Sequence, residues 1–365
     1  MASGPLLTRR ALNRATLARQ LLLERAVISP LEAVHHLAGL QAQTTTTWYT
    51  GLWGRLAGFD PEELSAPLAE RTLARISLMR GTIHLVTADD ALAFRPVVQV
   101  VHDRMLQGSF GKRLVDVDIE AVATAGRALV DAEPMTFSAL GARLHETWPD
   151  HDPFAMSMVV RGKVALVQVP PRGLWRRSGQ ARHTSAEAWL GRPLGGSTDP
   201  DAMVLRYLAA FGPATVMDIQ AWCGLTRLAE VIDRHRAALV SFVDERGREL
   251  FDLPDAPRPS PEVEAPVRLL YDYDNLFLSH ADRSRVIPDD LHLDLPAKPG
   301  PHYGMVLIDG MISGWWQHVT HREASTLVIH PSSKLAKGVS AAVTTEAEAL
   351  ARFLDPAEPE VVIVS

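Results

Sequence analysis

The chain has 365 residues, 47% hydrophobic and 22% charged, enough for two or three cored domains and wrong for a disordered or membrane-embedded protein. Its opening residues, Met1 to Arg10, lack a basic head leading an apolar run, no stretch approaches the ~18 apolar residues of a membrane span, and the one cysteine, Cys223, excludes an intrachain disulfide and a cysteine-built metal site. Net charge is −6, but it divides into +4 over residues 1–115, −1 over 116–200 and −9 over 201–365, so a polyanionic partner is not excluded.

Leu12, Ala15, Leu17, Leu21 and Leu22 recur at helical spacing, predicting a helix over about 8–25 with Thr8 as its N-cap. Ser29-Pro30 offers a cap with proline at the first helical position, and Gly39 ends the helix it starts. A threonine run, Thr44 to Thr47, leads into a third helix carrying Trp48, Leu52 and Trp53. A polar helix near 61–73 follows, then two strand-like runs flank Arg80-Gly81. Three helices and a hairpin make a winged-helix unit over residues 1–115.

The same order recurs twice. Residues 116–199 give helices at Ile119 to Val130, from Thr136, and over 153–162, then the strand Val164 to Val169. Its wing reads Pro170-Pro171-Arg172-Gly173-Leu174-Trp175-Arg176-Arg177. Residues 200–258 give helices over 200–211, Thr215 to Cys223 and Leu225 to Ala238, then a hairpin turning at Glu245-Arg246-Gly247. Pro254 to Pro266, proline-rich and acidic, reads as a linker. Beyond it, in 259–365, five short apolar runs and one helix near 344–354 predict a small β-domain, a barrel or sandwich. The fold class expected is α+β, with three tandem winged-helix units and a C-terminal β-barrel.

Between Phe154 and Ala186 the chain carries Arg161, Lys163, Arg172, Arg176, Arg177 and Arg182 and no acidic residue. Such a strip is either a solvated face or a phosphate-contacting surface. Arg161, Lys163, Arg172, Arg176 and Arg177, with Trp175 on the wing, are the DNA-binding candidates here. Trp315, Trp316, His318, His321 and Arg322 form a second candidate, a hairpin fit to probe a groove. The tryptophans read equally as barrel core. His318 and His321, three apart in a strand, face opposite sides, so no metal is expected there. No phosphate-cradling glycine-lysine loop, dinucleotide fingerprint or nucleophile elbow occurs.

What remains is Gly39-Leu40-Gln41-Ala42-Gln43-Thr44. On a helix, residues two apart point about 200° apart; in an extended segment they share a side. Two carboxamides on one side can hold a water through their oxygens. The plainer alternative is a pair of polar linker residues capping helix ends.

With the Gly51-Leu52-Trp53 helix, the Arg80-Gly81-Thr82-Ile83-His84 wing, the Val169 to Trp175 wing, Asp274-Asn275 and Asp309-Gly310, this segment resembles the winged-helix DNA glycosylases of the AlkZ/YcaQ type. The resemblance covers about residues 5–355. Gln43 matches the AlkZ branch; the YcaQ branch has an aspartate there. The resemblance implies three winged helices around a concave channel and a monofunctional glycosylase, with Gln41 and Gln43 at the catalytic positions. It also implies bulky N7-alkylpurines, interstrand crosslinks included, as substrates, and self-resistance to a DNA-alkylating agent as a role. The partner expected is duplex DNA bearing alkylated purines. No cofactor, metal or membrane is expected, and the chain is expected as a cytoplasmic, nucleoid-associated monomer.

Glutamine is a poor general base, which suits a leaving group already cationic: an N7-alkylguanine departs neutral, ahead of nucleophilic attack. No lysine lies near the motif, the nearest being Lys112, so no Schiff base is expected. Two other classes stay open on sequence: a non-enzymatic winged-helix DNA binder, regulatory or lesion-sequestering, and a small-molecule hydrolase using the β-domain.

Overall fold

The computed structural model describes residues 4–295, 302–320, 325–357 and 359–364. The N-terminal strand β1 (Leu6–Leu7) leads into α1 (Arg9–Arg19), where the Thr8 hydroxyl accepts from the Ala11 amide as its cap. This helix stops short of the predicted Arg25 because Leu21 takes a left-handed φ of 56°. Next comes α2 (Pro30–His36), opened by a capping box between Ser29 and Glu32. Ala38 and Gly39 then both take positive φ, turning the chain into β2 (Leu40–Gln41). A Cβ at Gly39 would lie 2.5 Å from Val86 Cγ1, so both the turn and the close approach require glycine.

Helices α3 (Thr47–Trp53) and α4 (Glu62–Ala69) precede the hairpin β3 (Leu73–Ser77) and β4 (Ile83–Thr87), which turns at Arg80-Gly81 as predicted. Two helices the sequence did not announce follow, α5 (Ala88–Val97) and α6 (Gln99–Phe110). Then come α7 (Ile119–Ala132), α8 (Phe137–Thr147), α9 (Pro153–Lys163), β5 (Leu166–Gln168), β6 (His183–Ser185) and α10 (Ala186–Leu190). The next stretch holds α11 (Asp201–Phe211), α12 (Val216–Cys223), α13 (Ala229–His235), β7 (Val240–Asp244) and β8 (Glu249–Asp252). The C-terminal part contains β9 (Arg268–Leu269), α14 (Asn275–Leu278), β10 (Tyr303–Ile308), β11 (Met311–Thr320), β12 (Ser325–Pro331), α15 (Lys337–Leu354) and β13 (Glu360–Ile363).

The molecule is a mixed α/β fold, with three sheets among the described residues. The first two predicted hairpins are joined: β3 pairs antiparallel with β5, giving one five-stranded sheet in the order β2-β4-β3-β5-β6. A three-stranded sheet, β1-β7-β8, ties the N-terminus to the third hairpin, and Arg19 on α1 forms a fully buried bidentate pair with Asp252 on β8. The acidic segment 254–266 carries no helix or strand, yet it is anchored. Its Pro257, Pro261 and Val263 carbonyls accept from Arg19, Arg10 and Arg14 of α1.

The expected C-terminal barrel is corrected: the sheet is open, ordered β13-β12-β11-β10-β9, and its edge strands do not pair with each other. Val343, Ala347, Leu350 and Ala351 of α15 pack with Leu269, Val306, Leu327 and Ile329 of the sheet. One face of the sheet is thus buried by a helix rather than by closure.

Candidate active site

The glutamine segment is extended, as the spacing argument required. β2 pairs with β4, setting Gln41 opposite His84, and the Ala42 amide donates to the Ile83 carbonyl at 2.7 Å. The two amides nevertheless sit in different surroundings. Gln41 is 4% exposed and held at three atoms: its side-chain oxygen accepts from Arg80 at 2.7 Å, its backbone N–H donates to Asn275 Oδ1 at 3.3 Å, and its carbonyl accepts from the Tyr271 hydroxyl at 3.0 Å. Gln43 is exposed, with its side-chain oxygen 3.5 Å from the Ile83 amide, and it opens onto a cavity of about 250 Å³ that Gln41 does not line.

Three segments far apart in sequence thus meet at the motif. Asn275 also donates to the Gly39 carbonyl at 2.6 Å, so α14 clamps both ends of β2. Arg55 and Asp274, both fully buried and paired at 2.7 Å, hold the start of that helix against α3. On the other side, Thr44 and Thr47 donate to Asp272, whose carboxyl burial pushes above the usual range. His84 is driven down to about 3 by burial and by the Arg80 charge, so it is neutral at pH 7.

The cavity beside Gln43 is basic. Arg75, Arg95, Arg161, Arg172 and His183 line it, and no aspartate or glutamate does among the described residues. Arg75 lies 4.4 Å over the Trp48 ring and donates to the Ala42 carbonyl and to Gln168. Burial and the Arg172 charge lower Arg75 to about 9, which leaves it charged at neutral pH.

The predicted DNA contacts fall in several places. Arg161 and Arg172 line the cavity with Gln43. Lys163 turns away to Asp103 and Glu120 at 3.2 and 3.3 Å. Trp175 is half-buried, with ring centroids 4.9 Å from Tyr49 and 5.1 Å from Phe353, and so packs as core. Arg176 and Arg177 are exposed, Arg176 touching the Leu354 carbonyl. His318 is half-buried near His302, while His321 and Arg322 lie outside the described residues. The exposed-hairpin reading of Trp315 and Trp316 is corrected. Trp316 is 1% exposed and donates to the Leu270 carbonyl, and Trp315 stacks on His330 at 3.9 Å.

Sequence reading missed Arg75, Arg95 and Asp272. Arg75 alternates with apolar residues as an exposed strand position would, so only the β3–β5 pairing reveals that it is covered. Asp272 stands beside the matched Asp274-Asn275 segment, which is the signal that was there to be used.

Known proteins share this sequence pattern and this fold. Residues 34–353 match the family described as DNA glycosylase AlkZ-like. A curated relative, the interstrand DNA cross-link repair glycosylase of Streptomyces sahachiroi, is 25% identical over 360 residues, spanning 92% of this chain and 93% of that protein. The solved structure of Streptomyces sahachiroi DNA glycosylase AlkZ superposes with a TM-score of 0.76 at 21% identity, covering 100% of both chains, and shares the fold. With the family matched over most of its length, the chain belongs to the AlkZ-like DNA glycosylases, enzymes whose substrate is DNA.

Proposed function

We propose that this chain is a monofunctional glycosylase that hydrolyses the N-glycosidic bond of bulky or crosslinked N7-alkylpurines in duplex DNA, with Gln41 and Gln43 positioning the attacking water. The observation that carries this reading is the absence of any carboxylate from the lining of the cavity onto which Gln43 opens, among the described residues. A neutral base needs acid–base help to leave; an N7-alkylated guanine is already cationic and departs on its own. What the site must then supply is a placed water and fixed dipoles. Gln41, held by Arg80, offers a rigid amide, and Gln43 offers an exposed one whose oxygen is only weakly held by the Ile83 amide. The name of the curated relative supports interstrand crosslinks as the lesion class.

The same reading takes the three helix-and-hairpin stretches, 1–115, 116–199 and 200–258, as winged-helix units around a DNA channel, with 259–365 supporting the motif from behind. It places the enzyme, as a monomer, on chromosomal DNA in the cytoplasm, protecting a cell from a DNA-alkylating agent. Duplex carrying N7-methylguanine, incubated with the protein and heated in alkali to cut abasic sites, tests the chemistry. Gln41→Ala and Gln43→Ala each abolish release while DNA binding persists. Wild-type release rates in both variants would overturn the mechanism, and tight lesion binding without release by wild type would replace it with sequestration. Borohydride traps no covalent adduct, since no amine attacks the sugar.

A further inference from the structure

The arginines around the cavity beside Gln43 form no ion pair among the described residues. Elsewhere, four buried arginines pair with carboxylates, Arg14 with Asp309, Arg19 with Asp252, Arg55 with Asp274 and Arg268 with Glu346, and a fifth, Arg285, has no ion pair among the described residues but feels the charge of Asp218. That is the usual rule, because a guanidinium taken out of water is costly unless a counter-charge meets it. Around this cavity the rule fails. Arg75 and Arg95 are each 2% exposed, Arg161 and Arg172 are half-buried, and none of the four forms an ion pair among the described residues.

Their partners are neutral. Arg75 donates to Gln168 and the Ala42 carbonyl, Arg95 to Gln99 and the Gly162 carbonyl, and Arg172 to the Gly179 carbonyl. Arg161 stands 5.9 Å over the Phe137 ring. The Arg75 Nε is buried with no hydrogen-bond partner at all. Asp103, the carboxylate whose charge reaches Arg95, is already held by Lys163. Fold stability alone gives no reason to gather such charge around a void.

The space suits a small anion. At about 250 Å³ it would hold roughly eight waters' share of liquid volume, room for a phosphodiester with its flanking carbons. Planar guanidinium forks recognise phosphate oxygens in pairs, and the lining supplies several from different elements: β3, α5, α9 and the loop after β5.

We infer that this cavity receives one backbone phosphodiester of the DNA substrate, next to the nucleotide whose base is released, with Arg75, Arg161 and Arg172 as its positioning residues. The inference rests on the proposed glycosylase chemistry, and it eases an electrostatic difficulty in it. Uncompensated guanidiniums beside Gln43 oppose a sugar that turns cationic as the base leaves. A phosphodiester seated among them offsets part of that positive charge next to the sugar, so the pocket opposes the oxocarbenium less when DNA is correctly placed.

The test crosses the protein with the backbone. Duplexes carrying N7-methylguanine are made with an uncharged methylphosphonate replacing, one at a time, the phosphates on either side of the lesion. Wild type, Arg161→Gln and Arg172→Gln are compared, both substitutions being at half-buried positions and checked by urea unfolding. One methylphosphonate should slow wild-type release about 10- to 100-fold, as removal of a charge-assisted hydrogen bond does. Each variant should be slowed on natural backbone and lose clearly less than wild type on that methylphosphonate, since the other arginines still meet the phosphate. A structural role for the arginines would instead make the two effects multiply. Multiplying effects, or a wild-type enzyme indifferent to every methylphosphonate, overturns the pocket while leaving the glycosylase reading intact. Failure of wild type to release base from the natural duplex overturns that reading, and the pocket with it.

Discussion

The Arg80 guanidinium donates to the side-chain oxygen of Gln41 at 2.7 Å, and its other terminal nitrogen donates to the Trp222 carbonyl at the end of α12. One residue of the β3–β4 turn therefore fixes the amide of β2 and ties it to a helix more than 140 residues away in sequence. Arg80 does this from a left-handed φ of 55°, a conformation that costs a non-glycine residue about 1–2 kcal/mol. Arg80→Gly separates the two effects. The backbone relaxes while the guanidinium is removed, so stability in urea should stay within about 1 kcal/mol of wild type. Base release should fall about tenfold or more, because an unheld amide no longer keeps its near-attack geometry. Unchanged release would show that Gln41 does not depend on Arg80.

Asn275 serves the opposite side of β2, accepting from the Gln41 amide and donating to the Gly39 carbonyl. Asn275→Ala strands both buried backbone groups, for a loss of about 1–3 kcal/mol in urea midpoint experiments. Release from alkylated duplex should drop more than duplex affinity does, since the motif is loosened and the DNA surface is untouched. Equal losses in both would assign Asn275 to folding alone.

Local rules made much of this legible. Thr8 and Ser29 cap the helices they were read to cap, helices start at Thr136 and Thr215 as read, and Arg80-Gly81 turns the hairpin it was read to turn. The extended run of Gln41 to Gln43 followed from the glycine before it. What stayed hidden is non-local. β3 and β5 pair across some ninety residues, and that pairing buries Arg75 and builds the wall of the cavity. Five strand-like runs looked the same whether the sheet closed or stayed open, because closure depends on stagger and on where α15 packs. Trp175 looked like a surface aromatic until Tyr49 and Phe353 were placed around it, and Trp316, which read equally as probe or core, is core once its bond to the Leu270 carbonyl is seen.

The exposed pair Arg176 and Arg177 gives a binding test independent of chemistry. If both meet phosphates, Arg176→Glu with Arg177→Glu weakens binding to all duplex sequences alike. It also reduces the slope of log K against log salt by about 0.9 for each phosphate no longer neutralised. Titration by fluorescence anisotropy at several salt concentrations measures this. A slope equal to wild type would place the pair off the DNA face, leaving Arg176 to its hydrogen bond to the Leu354 carbonyl and its place over the Trp175 ring.

Stability should fall in mild acid, and the buried histidines set where. Burial, aided by neighbouring arginine charges, lowers His84 and His102 to about 3 and His183 to about 4, against roughly 6.5 for an unfolded chain. Below that value the unfolded chain binds protons that the folded one refuses. These groups contribute fully above pH 6.5, and their contribution is lost as pH falls from there toward their folded values. His280, lowered to about 3 by burial and the Arg285 charge, is a fourth such ring, and each adds a slope of up to about 1.4 kcal/mol per pH unit, so the four together reach about 5, enough to consume a marginal stability within a few units. His102 is the residue to change, since it lies away from the glutamines and its Nε2 is buried with no partner. His102→Gln should unfold in urea much as wild type does at pH 7 and lose stability about one-quarter less steeply between pH 6 and 5. An identical slope in the variant would mean that other groups, not these rings, govern the acid limb.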